Sequence, residues 1–121
     1  MELKVLNDHF SVCKIRDIKD VDYSGDFVFF SKTDEELSLV CRSDLAPADC
    51  VAIEKGWRGF RVQGELDFSL IGILSKLSSL LAANGISIFA VSTYNTDYVL
   101  LKEESLENAV AVLKQNGYEI V

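Results

Sequence analysis

Histidine is almost missing from this chain: His9 stands alone among 121 residues. It lies beside Asn7 and Asp8, a predicted turn, with no cysteine or carboxylate cluster at ligand spacing nearby. That excludes the usual His/Cys metal sites and most general-base schemes built on imidazole. Cysteine is scarce and odd in number. Cys13, Cys41 and Cys50 have no CxxC spacing and sit among Val, Leu and Ile, which reads as small buried hydrophobes in a reducing compartment. One proline and seven glycines exclude a collagen-like chain, and a hydrophobic fraction of 49% excludes disorder. No apolar run reaches the roughly 20 residues of a membrane-spanning helix, and the first residues turn polar before a signal peptide can develop. The expected address is the cytoplasm. Basic residues are outnumbered, 12 Lys plus Arg against 19 Asp plus Glu, for a formal charge of -7. Such a surface repels phosphate backbones, so neither nucleic acid nor an anionic membrane is an expected partner.

What is present is a globular domain with clear periodicity. A helix is predicted from Ser69, with Leu70, Ile73, Leu74, Leu77, Leu80 and Leu81 on one face and Asn84 and Gly85 at its end. A second is predicted from a Ser105 cap, with Leu106, Ala109, Val110 and Leu113 on one stripe, ending at Gly117. Between them, residues 86–93 and 97–102 read as a hairpin closed by Tyr94, Asn95 and Thr96. With a strand over 57–66, where Phe60 and Val62 alternate with Arg61 and Gln63, and another at 118–121, the second half spells βαββαβ. The first strand is expected to pair beside the strand that follows the first helix.

Sliding the chain by 61 residues superposes Gly56 on Gly117, Ala48 on Ala109, Leu45 on Leu106, Leu39 on Leu100 and Ser31 on Ser92, which is a repeat signal of two copies. The first copy then has strands at 10–15, 27–31 and 37–42, and a helix beginning near Pro47. Residues 16–26 are rich in turn formers, so the first helix of that copy is shortened or lost, and residues 3–6 are expected to pair with 10–15 as an added hairpin. Gly56, Trp57, Arg58 and Gly59 read as a helix C-cap followed by a turn into a strand.

Two segments carry chemistry. Residues 64–73 lead from a strand into a helix start, where unpaired N–H groups favour a carboxylate. Gly72, expected inside the first turn, suggests a close approach to the backbone, either by a ligand or by tight helix-on-sheet packing. The run Ser92, Thr93, Tyr94, Asn95, Thr96, Asp97 and Tyr98 is dense in hydroxyl, amide and carboxylate groups. A hairpin turn accounts for Asn95 and part of the rest; a polar ligand site accounts for the whole, with Asp97 facing a cation.

At these residues the sequence resembles the ACT-domain superfamily, and within it the subfamily shared by short bacterial tandem-ACT proteins, the regulatory part of aspartate kinases and the CASTOR-type cytosolic arginine sensors. The resemblance rests on the strand from Trp57 to Gly64, on Asp67, Phe68, Gly72 and Ile73, on the Ala82, Ala83, Asn84, Gly85, Ile86, Ser87, Ile88 turn, and on the run that ends at Asp97 and Tyr98. It implies an α+β, ferredoxin-like ACT fold in tandem duplication, with a degenerate first copy at 1–56 and a full ACT domain at 57–121. It also implies amino acids held where ACT units meet, no catalytic activity and no cofactor. Asp97 maps onto the partner of a basic side chain, and Leu66, Asp67, Phe68 and Ser69 map onto the loop that holds the amino-acid backbone. The expected ligand-binding set is therefore Leu66, Asp67, Phe68, Ser69, Ile71, Gly72, Ser92, Thr93, Asn95 and Asp97. The expected partners are an amino acid or similar zwitterion, a second copy of the chain and a regulated protein; the competing reading is an assembly module with no ligand.

Overall fold

The computed structural model describes residues 1–63 and 72–121. In chain order its elements are β1 (Glu2–Ile15), a 3-10 turn (Ile18–Asp20), β2 (Phe29–Lys32), β3 (Leu37–Arg42), a 3-10 turn (Ser43–Leu45), β4 (Ala52–Val62), α1 (Ile73–Ala83), β5 (Ile88–Ser92), β6 (Asp97–Lys102), a 3-10 turn (Glu103–Ser105), α2 (Leu106–Gln115) and β7 (Glu119–Ile120). From β4 onward the order is βαββαβ, as the periodicity predicts. The residues divide into two compact units, Met1–Asn7 with Arg58–Val121, and Asp8–Trp57.

In the helical unit, β6 lies between β4 and β5, and β7 pairs in parallel with β1, Leu3 opposite Ile120. The predicted neighbour of β4 is thus corrected: β6, not β5, lies beside it. Val99, Leu100 and Leu101 of β6 are all buried, which demands an inner position, whereas Ala90 and Ser92 of β5 are exposed and suit an outer strand. The core joins Leu3, Phe60, Val62, Val99 and Leu101 from strands to Leu77, Leu81, Ala109 and Leu113 from the helices, with Ile86 between α1 and β5.

The helix ends follow the sequence closely. The Gly85 N–H reaches the Ala82 carbonyl and the Ile86 N–H reaches Leu81; the Gly117 N–H reaches Lys114 and the Tyr118 N–H reaches Leu113. Both are the paired closing bonds of a left-handed glycine cap, with φ of +74° at Gly85 and +90° at Gly117. The starts differ from expectation. Ser69 and Leu70 lie outside the described residues, and the described α1 begins after Gly72. Ser105 makes no side-chain cap; it ends a 3-10 turn from which α2 continues directly.

In the second unit, β3 pairs with β2 on one edge and with β1 on the other, from Phe10 opposite Arg42 to Ile15 opposite Leu37. The core is Cys13, Ile15, Val21, Leu39 and Cys41, with Phe30, Leu37 and Cys50 packed against it. Three expectations are corrected here. Residues 3–6 and 10–15 form no hairpin; β1 runs unbroken through Asn7 and Asp8, and His9 is an exposed strand residue. Backbone partners on both sides of that point, Ile120 for Leu3 and Arg42 for Phe10, override the local turn preference.

No helix follows Pro47. After the Ser43–Leu45 turn the chain is irregular to Val51, whose N–H donates to the Lys14 carbonyl at 2.8 Å, and continues as β4. A helix this short is marginal alone, while the open edge of β1 offers the same backbone groups a ladder. Gly56 is therefore no helix cap: it holds φ +85° inside β4, a left-handed backbone that glycine tolerates. The turn-rich stretch before β2 does lack a full helix, containing only the Ile18–Asp20 turn, which the Asp17 carboxylate caps through the Lys19 N–H.

The two hairpins correspond at an offset of 60, not 61. Leu37 and Asp97 begin β3 and β6, and Ser43 and Glu103 begin the turns after them. A one-residue slip exchanges the faces of a strand. It stayed invisible because Leu39, Val40 and Cys41, like Val99, Leu100 and Leu101, are consecutive and all buried, leaving no alternation to fix the register.

Candidate functional site

The β5–β6 hairpin builds the polar end of the helical unit. Ser92 and Asp97 are the last paired residues of the ladder, and the Ser92 hydroxyl donates to Asp97 Oδ1 at 2.6 Å. The Thr93 N–H and hydroxyl both donate to the Thr96 carbonyl, at 2.9 and 3.0 Å, which tightens the turn. Asn95 and Tyr94 are exposed at its tip, while Asp97 is half-buried. The carboxylate is thereby fixed in direction by a neighbour on the adjacent strand, and it retains acceptor capacity beyond that one bond.

Thr96 is the residue that sequence reasoning passed over as a turn former. It is 7% exposed, and its hydroxyl donates to the Val62 carbonyl at 2.7 Å. That bond ties the turn to Val62, the last residue of β4. A threonine between two polar turn residues gives no sequence signal of burial; only the pairing of β6 with β4 creates it.

Leu66, Asp67, Phe68, Ser69 and Ile71, half of the expected set, lie outside the described residues. Gly72 is described and corrected: it precedes α1 as its cap, with φ +80°, and its carbonyl accepts from the Lys76 N–H at 2.8 Å. A side chain added there would meet nothing within 4 Å among the described residues, and the left-handed backbone by itself already favours glycine.

Gly72 lines a cleft of ≈ 310 Å³ together with Met1, Ile73, Lys76, Asn116, Gly117 and Tyr118. The start of α1 and the end of α2 meet there, and Lys76 adds a cation that the sequence reading did not single out. Asp97 does not line this cleft. The structure thus brings Ser92, Thr93, Asn95 and Asp97 together at one hairpin end and places Gly72 with Lys76 at the helix start. Among the described residues no group of three or more His, Cys, Asp or Glu is arranged to hold a metal ion, and no helix is long and apolar enough to cross a membrane.

Comparison with known proteins matches this architecture. The chain is 29% identical over 96 residues to the human protein named cytosolic arginine sensor for mTORC1 subunit 1, and 28% to its mouse counterpart. That match takes in 74% of the chain but spans only 29% of the sensor's length. A solved structure from Agrobacterium tumefaciens superposes with a TM-score of 0.88 at 34% identity, covering 99% of this chain and 91% of that one. The regulatory subunit of aspartate kinase from Thermus thermophilus shares the fold, at a TM-score of 0.67 and 12% identity, over 95% of this chain and 97% of its own. The ACT domain family model matches residues 52–115, from the start of β4 to the end of α2 and more than half of the chain, and the chain belongs to the ACT domain family.

Proposed function

We propose that this chain is a non-catalytic regulatory module that binds an amino acid or similar zwitterion at an interface between ACT domains of two copies. The observation that carries the reading is the Asp97 carboxylate, oriented by Ser92 at 2.6 Å on a turn otherwise built of hydroxyls and an amide. A fixed, half-buried carboxylate suits an ammonium or guanidinium group. The ligand carboxylate is assigned to the stretch from Leu66 to Gly72, because its described end, Gly72, caps α1 and lines a cleft with Lys76, where helix N–H groups and a cation favour negative charge. The ligand acts by population shift: it favours one arrangement of the two copies by its differential affinity and passes that change to a regulated protein. We place this protein in the cytoplasm and read its hairpin repeat as a tandem duplication, with 1–56 the degenerate copy and 57–121 the full one.

Thermal-shift screening against the twenty amino acids and common nucleotides tests the reading, since whatever binds only the native state raises its melting temperature. With a ligand in hand, Asp97→Ala weakens binding by roughly 1.5–3 kcal/mol in calorimetry while the fold persists. Unchanged affinity removes Asp97 from the site.

One observation favours the rival reading of a ligand-free assembly module. The Ser92–Asp97 bond uses the Ser92 hydroxyl proton and one Asp97 oxygen within the hairpin, as a purely structural pair would. In that case no amino acid shifts the midpoint, and Asp97→Ala lowers stability alone.

A further inference from the structure

The two hairpins of the chain close in the same way but are not anchored in the same way. In the first, the Thr33 N–H donates to the Glu36 carbonyl at 3.0 Å, and Lys32 opposite Leu37 is the last pair of the ladder. In the second, the Thr93 N–H donates to the Thr96 carbonyl at 2.9 Å, and Ser92 opposite Asp97 is the last pair. Two places set them apart. A carboxylate stands at Asp97 where the first hairpin has Leu37, and a buried hydroxyl stands at Thr96 where the first has the exposed Glu36. The Thr96 hydroxyl donates to the Val62 carbonyl at 2.7 Å; an ionised glutamate has no proton to donate and cannot make that bond. The turn closes without such a hydroxyl, so the bond to Val62 does something other than close it.

The next residue along the chain is Asp97. It sits at the end of a ladder, where strands fray first, and the Ser92 bond that directs its carboxylate is exposed to competing water. The anchor point is of another kind. Val62 is 1% exposed and belongs to the core cluster with Phe60, Leu77 and Leu81, and Thr96 itself is 7% exposed. A buried hydroxyl bonded to a core carbonyl fixes the side-chain torsion of Thr96 and the backbone that leads into Asp97. The direction of the Asp97 Cα–Cβ bond is fixed with it.

We propose that Thr96 is a positioning residue for Asp97: its bond to Val62 keeps the Ser92–Asp97 pair formed, so that the carboxylate meets a ligand cation already ordered. The inference rests on the reading of Asp97 as the partner of that cation. A carboxylate held in one rotamer before binding loses less freedom on binding, and the affinity rises by what is not lost. Thr96 touches no ligand in this scheme; it acts through Asp97, as Ser92 does from the adjacent strand.

The test reads the Asp97 side chain directly, through the NMR couplings of its Cβ protons, alongside calorimetry with L-arginine, which carries ammonium, guanidinium and carboxylate groups. Thr96→Val removes the donor at nearly constant shape, and Thr96→Ser keeps it. The expected result is one Asp97 rotamer in the wild type and in Thr96→Ser, and averaged rotamers in Thr96→Val. L-Arginine should bind Thr96→Val roughly 2- to 10-fold more weakly than wild type, the range of one net hydrogen bond, and Thr96→Ser as wild type does. A lower melting temperature of Thr96→Val with unchanged Asp97 couplings would overturn the proposal and leave the bond a purely structural one. Averaged couplings in the wild type, or equal averaging in Thr96→Ser and Thr96→Val, would do the same. If Asp97→Asn loses L-arginine while Thr96→Val binds it undiminished, the reading of Asp97 stands and the positioning role falls. If the wild type does not bind L-arginine, that result counts against the functional reading, and the couplings decide the positioning role. Should Thr96→Val fail to fold, Thr96→Cys, whose thiol is a weaker donor, takes its place with the same outcomes.

Discussion

The β2–β3 and β5–β6 hairpins are two versions of one device, and they part company at a single point. Thr33 and Thr93 occupy the same place, each N–H donating to the carbonyl three residues on, Glu36 and Thr96. The strands that follow share a burial pattern, half-buried at both ends and buried in the middle, and each ends in a 3-10 turn. After Ala46 the first chain runs irregularly into β4, whereas after Ser105 the second becomes α2. The amphipathic stretch from Leu106 to Gln115 has apolar residues at helical spacing to bury; Ala46, Pro47, Ala48, Asp49 and Cys50 have little. A shared hairpin therefore does not impose a shared sequel: the apolar stripe that follows does.

Core truncation gives the largest contrast. Leu101 and Cys41 occupy equivalent places, but Leu101 packs against both helices' cluster and Cys41 against the smaller one. Leu101→Ala costs about 2–5 kcal/mol in urea unfolding, and Cys41→Ala costs less, because less volume is removed. Equal losses would mean that the two cores are equivalent despite the missing helix. Thr96→Val sharpens the comparison next. It strands the Val62 carbonyl and costs roughly 1–3 kcal/mol, whereas Glu36→Val, at the matching and exposed place, changes stability by about 0.5 kcal/mol or less.

Gly117→Ala and Gly56→Ala both force an L side chain into a left-handed backbone with open space around it, at roughly 1–2 kcal/mol each. Gly117→Ala shows its loss as reduced helicity in circular dichroism, while Gly56→Ala shows none, since the residue lies within a strand. The last contrast is a pH slope, confined to alkaline solution. The Cys13 thiol, held by burial and its neighbours up to about 12 against 9.0 ordinarily, binds its proton more tightly folded than unfolded. Its contribution is fully present below pH 9 and fades as pH rises toward 12. Cys13→Ala should flatten that slope.

The helices were legible because their signals are local. The Leu stripe of α1 and the glycines at 85 and 117 act within a few residues of themselves, and both closing motifs formed as read. Turn chemistry at Thr93 to Asp97 was legible for the same reason. The errors fell where a distant strand decided the outcome: Asn7 and Asp8 stayed extended, and Ala52 to Lys55 became strand.

For the candidate site, the sequence alone marked the polar run ending at Asp97 and the helix start at Gly72, through residue types whose hydrogen-bonding and conformational habits are intrinsic. Only the tertiary structure set Ser92 on Asp97, buried Thr96 against Val62, and gathered Cys13, Cys41 and Cys50 into one cluster. Each of those contacts depends on strand order and register, and three buried residues in a row leave the register unwritten until the neighbouring strands are in place.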